Sequence, residues 1–245
     1  MINKVCWAGL ADKDYFEYIA QYCLPSWEKL PGKKYIVHNS DIINFPFLNI
    51  IDQDTVLNRD CKFLKTSPKK KTTNFWRKMQ SQVWAMRNLR SCDFLILLDT
   101  DIEVLDTFNE ENFDQDLEKF KESNLPWATG RSQSRLHDSG FIILNIHHPL
   151  LDELIDYYEN IWESGEIYKL KKSYDGNAVE SMFSKYSSYK IMNTDYGKGF
   201  HVYDLGFVHY GSKMPKSIRA HHKGPGLDLV EQHTKNIIIK KYKGS

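Results

Sequence analysis

Hydrophobic and polar positions alternate along the first fifty residues in blocks that predict strands and helices in turn. Apolar runs of strand length occupy residues 5–10 and 34–38, and a stretch with helical spacing covers 15–24, directly before Pro25. A strand, a helix and a second strand form the βαβ opening of an α/β protein. A short third strand is expected at 49–51.

The alternation continues beyond a polar segment at residues 60–73. This segment has little periodicity and carries Ser67-Pro68 followed by three lysines, so it is predicted to be a mobile loop with a solvated surface. The alternative for its lysines is a lid that approaches a diphosphate. The next elements are predicted from apolar spacing: a helix at 74–89, strands at 94–98 and 140–145, and helices at 150–162 and 177–185. Without internal repeats, one domain is expected.

Composition excludes several classes of protein. The 245 residues are 41% hydrophobic and 27% charged, enough for the core of one large α/β domain. A net charge of +1 provides no electrostatic footprint for nucleic acid. The four cysteines are widely spaced without a Cys-x-x-Cys pair, which favours buried free thiols in a reducing compartment. No apolar run approaches the length of a membrane span, so a soluble cytoplasmic protein is predicted.

The most informative segment is Asp99-Thr100-Asp101, which directly follows the apolar strand at 94–98. Ligands of α/β proteins collect at the carboxyl ends of strands. Two hard oxygen donors at such an end can hold Mg²⁺ or Mn²⁺ together with the phosphates of a substrate. The alternative is a strand that runs into an acidic, solvated turn.

Five segments in this order carry a resemblance to a known family. They are Val5 to Tyr15, Lys78 on the helix before the Asp-x-Asp strand, Asp99-Thr-Asp101, Asp138-Ser-Gly to Asn145, and His209-Tyr-Gly-Ser-Lys-Met-Pro215. Together the segments resemble nucleotide-sugar glycosyltransferases of the GT-A fold, in particular the glycogenin and lipopolysaccharide galactosyltransferase group.

The sequence departs from this family at three places. Asp138 stands where the family usually has Asn, and Asp175-Gly176 stands where Asp-Gln is common. In the late segment, Gly211 comes one residue early and Lys213 two residues early.

The resemblance implies a single GT-A domain over 1–245, with a Rossmann-like mixed central sheet flanked by helices. Residues 1–105 would form the nucleotide-binding part and 106–245 the acceptor-side part. It also implies a Mn²⁺ or Mg²⁺ cofactor, a nucleotide-sugar donor such as a UDP-sugar, and a glycan or glycoprotein acceptor. Retention of the anomeric configuration is expected from the same group.

Physical roles can be assigned beside the resemblance. Asp101 is expected to be the stronger metal ligand, with Asp99 holding a metal-bound water or the ribose. His209 is the expected third ligand through a neutral imidazole; its alternative is a structural histidine. Lys213, or failing it Lys216, would reach the diphosphate as a point charge, or would be an ordinary surface lysine.

The nucleoside site is predicted at the end of the first strand. Ala8 and Gly9 are small enough to let a base approach the backbone, and Thr100 is expected to contribute to nucleotide binding. Tyr15 would stack on the base, although it is equally suited to the core. Lys78 either points towards the phosphates or is solvated.

The candidate catalytic carboxylates are Asp138 and Asp175. Asp138 precedes Ser139-Gly140, where the backbone can approach a sugar closely, while Asp175 lies in a turn that feeds a helix and could simply cap it. In an inverting reaction one of the two would be the general base. Further candidates for the sugar and acceptor pockets are Trp127 (or a core position for it), Arg131, Arg135 and His221-His222.

Two other classes of protein remain as alternatives. Asp99-Thr-Asp101-Ile-Glu-Val104 also resembles the nucleophile strand of haloacid-dehalogenase-like phosphatases, in which the first Asp attacks phosphorus. Against this class, the strand lies far from the start of the chain and Glu103 stands where Thr or Val is usual. The other alternative is a non-catalytic sugar-nucleotide-binding protein on a degenerate GT-A fold.

Overall fold

The structure is a computed structural model, and it describes residues 4–39, 44–66, 70–132, 135–170, 175–186, 200–201 and 207–209. All of these residues belong to one compact unit, Met1–His209. Residues 210–245 lie outside the described residues, so the expectation of a single domain over the whole chain stays a prediction.

In the described part of the chain, nine strands form two sheets. The strands are β1 (Val5–Leu10), β2 (Lys33–His38), β3 (Leu48–Asp52), β4 (Phe94–Leu98), β5 (Ile102–Val104), β6 (Trp127–Ser132), β7 (Arg135–Asn145), β8 (Phe200–His201) and β9 (Phe207–His209). The central sheet has the order β3-β2-β1-β4-β7-β6-β8, and β5 pairs with β9 separately. Strands β1 to β4 are mutually parallel, whereas β7 is antiparallel to both β4 and β6. The central sheet is therefore mixed, as predicted.

Seven α-helices accompany the sheets in the described part of the chain. They are α1 (Lys13–Tyr15), α2 (Gln21–Cys23), α3 (Lys62–Lys65), α4 (Lys70–Asn88), α5 (Glu110–Glu122), α6 (Leu151–Glu163) and α7 (Asp175–Tyr186). A π-helical turn at Phe16–Ala20 joins α1 to α2, and 3₁₀ turns cover Leu24–Lys29, Gln53–Thr55 and Glu166–Lys169. No helix in these ranges is long and apolar enough to cross a membrane.

The core lies on both sides of β4, whose five residues are all buried. The indoles of Trp7 and Trp27 are among its largest fully buried side chains. Trp127 is also fully buried, with 0% exposure, so its core position is confirmed and a place in a sugar pocket is wrong. All four cysteines are buried and free, as expected, whereas the reducing compartment stays a prediction.

Two sequence-based expectations about local structure need correction. The helix expected to stop at Pro25 begins at Lys13 and continues through that proline as a 3₁₀ turn, because a proline near the start of the turn loses no required N–H bond. The mobile loop expected at 60–73 contains α3 and the first turn of α4. Phe63 anchors α3: it is fully buried and stacks on Trp76 with ring centroids 6.0 Å apart.

Candidate active site

The turn Asp99-Thr100-Asp101 is held between two neighbouring strands. The backbone N–H of Asp99 donates to the carbonyl of Gly140 on β7 at 2.8 Å. On the other side, the Thr100 hydroxyl donates to the carbonyl of Leu10 at the end of β1, also at 2.8 Å. Because Thr100 is only 1% exposed, its hydroxyl fastens the turn to β1. The backbone that carries the two carboxylates is therefore fixed at the carboxyl end of β4.

Gly9 allows the turn to approach β1. A Cβ atom added at Gly9 would lie 2.7 Å from the Leu98 carbonyl oxygen, 2.9 Å from the Thr100 methyl group and 3.0 Å from the Trp27 ring. Two of these distances are below any normal contact, and the closest atom belongs to the backbone. Packing therefore requires glycine at position 9, the small residue that is also predicted to admit a nucleoside base.

Substituting Gly9 with alanine is expected to destabilise the protein by about 1–3 kcal/mol, because the added methyl overpacks a backbone contact. For a chain of this size that corresponds to a fall in Tm of roughly 2–4 °C for each kcal/mol. Gly176→Ala is the matched control, since the nearest atom to a Cβ there, among the described residues, is Ser139 Oγ at 3.8 Å. Equal melting temperatures for the two variants, measured by calorimetry, would contradict the packing role of Gly9.

Lys78 brings the Asp-x-Asp turn together with a third carboxylate. Its ammonium lies 2.6 Å from Asp99 Oδ1 and 2.6 Å from Asp175 Oδ2. The lysine comes from the middle of α4, while Asp175 is the first residue of α7. The side chain of Lys78 is 15% exposed, so it is not the solvated surface lysine of the alternative interpretation. Three of the predicted site residues therefore form one cluster.

The charges of this cluster stabilise one another. Burial alone would lower the pKa of the Lys78 ammonium, but the neighbouring carboxylates of Asp175 and Asp99 raise it above its ordinary value. Burial alone would likewise raise the pKa of Asp175, yet the Lys78 charge holds that pKa below its usual value. Lys78 and Asp175 are consequently ionised near neutral pH, and the Lys78 ammonium lies between the carboxylates of Asp175 and Asp99.

The Asp175 carboxylate has two further hydrogen-bond donors. The hydroxyl of Ser139 donates to Oδ2 at 3.1 Å, and the backbone N–H of Gly176 donates to Oδ1 at 2.8 Å. Ser139 lies on β7 next to Gly140, whose carbonyl holds Asp99. Ser139 was not predicted as a site residue, since the sequence motif around it indicated only a close backbone approach.

Asp101 is buried at the other side of the turn, with 2% exposure, and is approached by Tyr15. Burial, the charges of Asp101 and Asp99, and a hydrogen bond with Asp101 together raise the pKa of the Tyr15 phenol. Tyr15 is oriented by Asp12, whose Oδ1 accepts the Tyr15 backbone N–H at 2.9 Å. The Tyr15 phenol therefore interacts with the carboxylates of the Asp-x-Asp turn. Stacking of its ring on a nucleoside base stays a prediction.

The backbone of His209 lies beside the Asp-x-Asp turn. In the antiparallel pairing of β5 with β9, His209 is opposite Ile102, the residue that follows Asp101. The side chain of His209 is outside the described residues. Within the described part of the chain, no group of three or more His, Cys, Asp or Glu side chains could hold a metal ion. The pairing places the backbone of His209 next to the Asp-x-Asp turn, and its role as a metal ligand stays a prediction.

The remaining predicted residues fall into two groups. Ala8 is buried on β1 at 6% exposure, and the backbone of Asp138 pairs with that of Gly130 at an irregular point of the β6–β7 ladder. The others lie outside the described residues, entirely or in their side chains: Arg131, Arg135, the side chain of Asp138, Lys213, Lys216 and His221-His222. Their proposed roles stay predictions.

Comparison with known proteins identifies the fold. In sequence, the chain matches no family model and no curated protein. In structure, it is similar to the galactosyltransferase LgtC, solved in complex with donor and acceptor sugar analogs, with a TM-score of 0.52 at 11% identity. The match covers 85% of this chain and 87% of that one. At this identity the likeness establishes the fold alone: a mixed α/β GT-A fold with a central sheet flanked by helices, as the sequence predicted.

Proposed function

We propose that this protein is a metal-dependent glycosyltransferase that moves a sugar from a nucleotide-sugar, in the simplest case a UDP-sugar, to a glycan or protein-linked glycan. The observation that carries the proposal is the Lys78 ammonium, 2.6 Å from both Asp99 and Asp175 at the end of β4. Ligands of α/β folds collect at the carboxyl ends of strands, so the position of this cation and acidic pair supports a role in binding a nucleoside diphosphate and its sugar.

The carboxylates at the end of β4 suit a divalent cation. Asp99 and Asp101 offer hard oxygen ligands of the kind that Mn²⁺ and Mg²⁺ prefer, and His209 would add an imidazole. A bound divalent ion would neutralise the charge that grows on a departing diphosphate. We assign the direct contact to Asp101, and we assign to Asp99 a metal-bound water or the ribose.

The protein's own residues complete the donor site in this proposal. The nucleoside would be held at the end of β1 by Ala8, Gly9, Tyr15 and Thr100. Lys78, joined by Lys213 from the late segment, would supply positive charge to the diphosphate. Asp175 and Asp138 would be the carboxylates that handle the sugar beyond it. Transfer would proceed with retention of the anomeric configuration.

A ligand screen tests this function without knowledge of the acceptor. Thermal shifts would be recorded with nucleoside diphosphates and nucleotide-sugars, each with and without Mn²⁺. A ligand at about 100 times its Kd stabilises the folded state by about 2.7 kcal/mol, which is readily detected. We expect UDP or a UDP-sugar to raise Tm only when Mn²⁺ is present.

Each alternative function gives another pattern in the same screen. A phosphatase of the haloacid-dehalogenase type would respond to Mg²⁺ with phosphate or its analogues, in preference to nucleotide-sugars. A binding protein would respond to the nucleotide-sugar but leave it intact after prolonged incubation. A protein that responds to none of the nucleotides, with or without metal, would contradict the proposal.

The role assigned to His209 has its own test. His209→Ala is expected to lower Mn²⁺ affinity by at least about tenfold, since the proposed imidazole ligand is lost. In metal-free buffer the melting temperature should change little. A large loss of stability without metal, together with unchanged Mn²⁺ affinity by calorimetry, would mean that the histidine is structural.

A further inference from the structure

We propose that Ser139 is a positioning residue that sets the orientation of the Asp175 carboxylate for sugar binding, an inference that rests on the proposed function. Ser139 is part of β7, the strand whose next residue, Gly140, accepts the backbone N–H of Asp99 at 2.8 Å. Its hydroxyl donates to Asp175 Oδ2 at 3.1 Å. One strand therefore holds both the Asp-x-Asp turn and the carboxylate on α7.

The donors are distributed unequally over the two oxygens of Asp175. Oδ2 receives the Lys78 ammonium at 2.6 Å and the Ser139 hydroxyl at 3.1 Å. Oδ1 receives the backbone N–H of Gly176 at 2.8 Å. Because an ionised carboxylate has about four acceptor sites, Oδ1 keeps the capacity to accept a hydroxyl of the substrate. The remaining acceptor capacity of Oδ1 therefore suits Asp175 to accept a hydrogen bond from a sugar hydroxyl.

Lys78 alone would not define this orientation. Its ammonium is a compact charge on a flexible stem, and it is shared with Asp99 at the same distance of 2.6 Å. The terminal torsion of an aspartate is broad, so a point charge fixes the distance of the carboxylate better than its plane. Ser139 has a short side chain on a strand, and its hydroxyl adds a donor direction from β7 to those of the Lys78 ammonium and the Gly176 backbone N–H.

The described residues do not crowd the position of Gly176 next to this pair. A Cβ atom added at Gly176 would meet Ser139 Oγ at 3.8 Å, an ordinary van der Waals distance. The backbone at Gly176 therefore has no steric need for glycine against the described atoms. Alanine is favoured over glycine inside helices, so helix stability does not explain the glycine at this position either.

Three variants test the role of Ser139. Ser139→Ala removes the hydroxyl, Ser139→Thr keeps it on a residue that suits a strand, and Ser181→Ala is the matched control. Ser181 is a partly buried serine on α7, whose hydroxyl bonds Tyr157 at 3.1 Å, away from the site. With UDP-glucose and Mn²⁺ as the probe, Ser139→Ala is expected to lower kcat by roughly 10- to 100-fold, with UDP affinity and KM little changed. Ser139→Thr should restore most of the rate, and Ser181→Ala should match the native protein.

A second measurement does not depend on turnover. The pKa of Asp175 would be followed by NMR of protein with ¹³C-labelled aspartate carboxyls, assigned through Asp175→Asn. Loss of a donor to the ionised form should raise this pKa in Ser139→Ala and leave it unchanged in Ser139→Thr and Ser181→Ala. If the native protein turns over no nucleotide-sugar, the proposed function fails, and the pKa alone decides whether Ser139 holds the carboxylate. An unchanged pKa, or a kcat of Ser139→Ala within about twofold of native, overturns the inference.

Discussion

Asp101→Ala is expected to abolish Mn²⁺-dependent binding of UDP, with a loss of affinity of at least about 100-fold. Asp101 is buried at 2% exposure at the end of β4, where its carboxylate is the strongest candidate for direct contact with the ion. Asp99→Ala should weaken binding less, since Asp99 shares its charge with Lys78 at 2.6 Å. Isothermal titration of UDP with and without Mn²⁺ gives both affinities.

Two further variants separate metal binding from folding. Asp101→Asn retains an acceptor for the Tyr15 hydroxyl and removes the negative charge, so it should lose metal affinity without a large fall in Tm. Asp106→Ala removes a nearby exposed aspartate that pairs with Lys29 at 2.6 Å, and it should bind UDP like the native protein. If Asp101→Ala binds UDP with native affinity and native dependence on Mn²⁺, the metal assignment is wrong.

Asp175→Asn is expected to slow turnover of a nucleotide-sugar by roughly 10²–10³-fold while changing UDP affinity only slightly. The proposed contact of Asp175 is with the sugar, and its negative charge is what fixes the Lys78 ammonium at 2.6 Å. The amide has the shape of the carboxylate but lacks that charge. Initial rates of UDP release and UDP affinities by calorimetry, measured on the same preparations, give the two effects.

The control for Asp175→Asn is Asp152→Asn. Asp152 also pairs with a cation, Arg90, at 2.5 Å, but its side chain is 82% exposed. Exposed pairs contribute little to stability, about 0–1 kcal/mol, and this one is remote from the site. Its rate should equal that of the native protein. Equal rates for Asp175→Asn and Asp152→Asn would mean that Asp175 only caps the start of α7.

Strands, turns and helices that depend on neighbouring residues alone can be predicted from the sequence. The strand at Val5–Leu10 has the predicted bounds, and the Asp-x-Asp turn follows β4 where the apolar run ends. The helix that carries Lys78 was also predicted, although it starts four residues earlier than expected, at Lys70. Periodicity and turn residues decide such elements, since their causes lie within a few neighbouring positions.

Contacts between distant parts of the chain could not be predicted in this way. Lys78 and Asp175 are 97 positions apart, and nothing in either local sequence specifies that they form an ion pair. Phe63 shows the same limit: a polar, aperiodic segment predicts a loop, but α3 lies within it, and the ring of Phe63 on that helix is buried against Trp76. Ser139 was missed because its hydrogen bond to Asp175 depends on the position of α7. Tertiary packing decides all three cases.

The most direct test of glycosyl transfer is to identify which bond breaks. The protein would be incubated with Mn²⁺ and UDP-glucose in water enriched in ¹⁸O, and the products of slow donor hydrolysis would be examined by mass spectrometry. Attack at the anomeric carbon places ¹⁸O on the released glucose and leaves UDP unlabelled, and this Mn²⁺-dependent result is the one we predict. Label in UDP or in phosphate would show attack at phosphorus and contradict a glycosyltransferase.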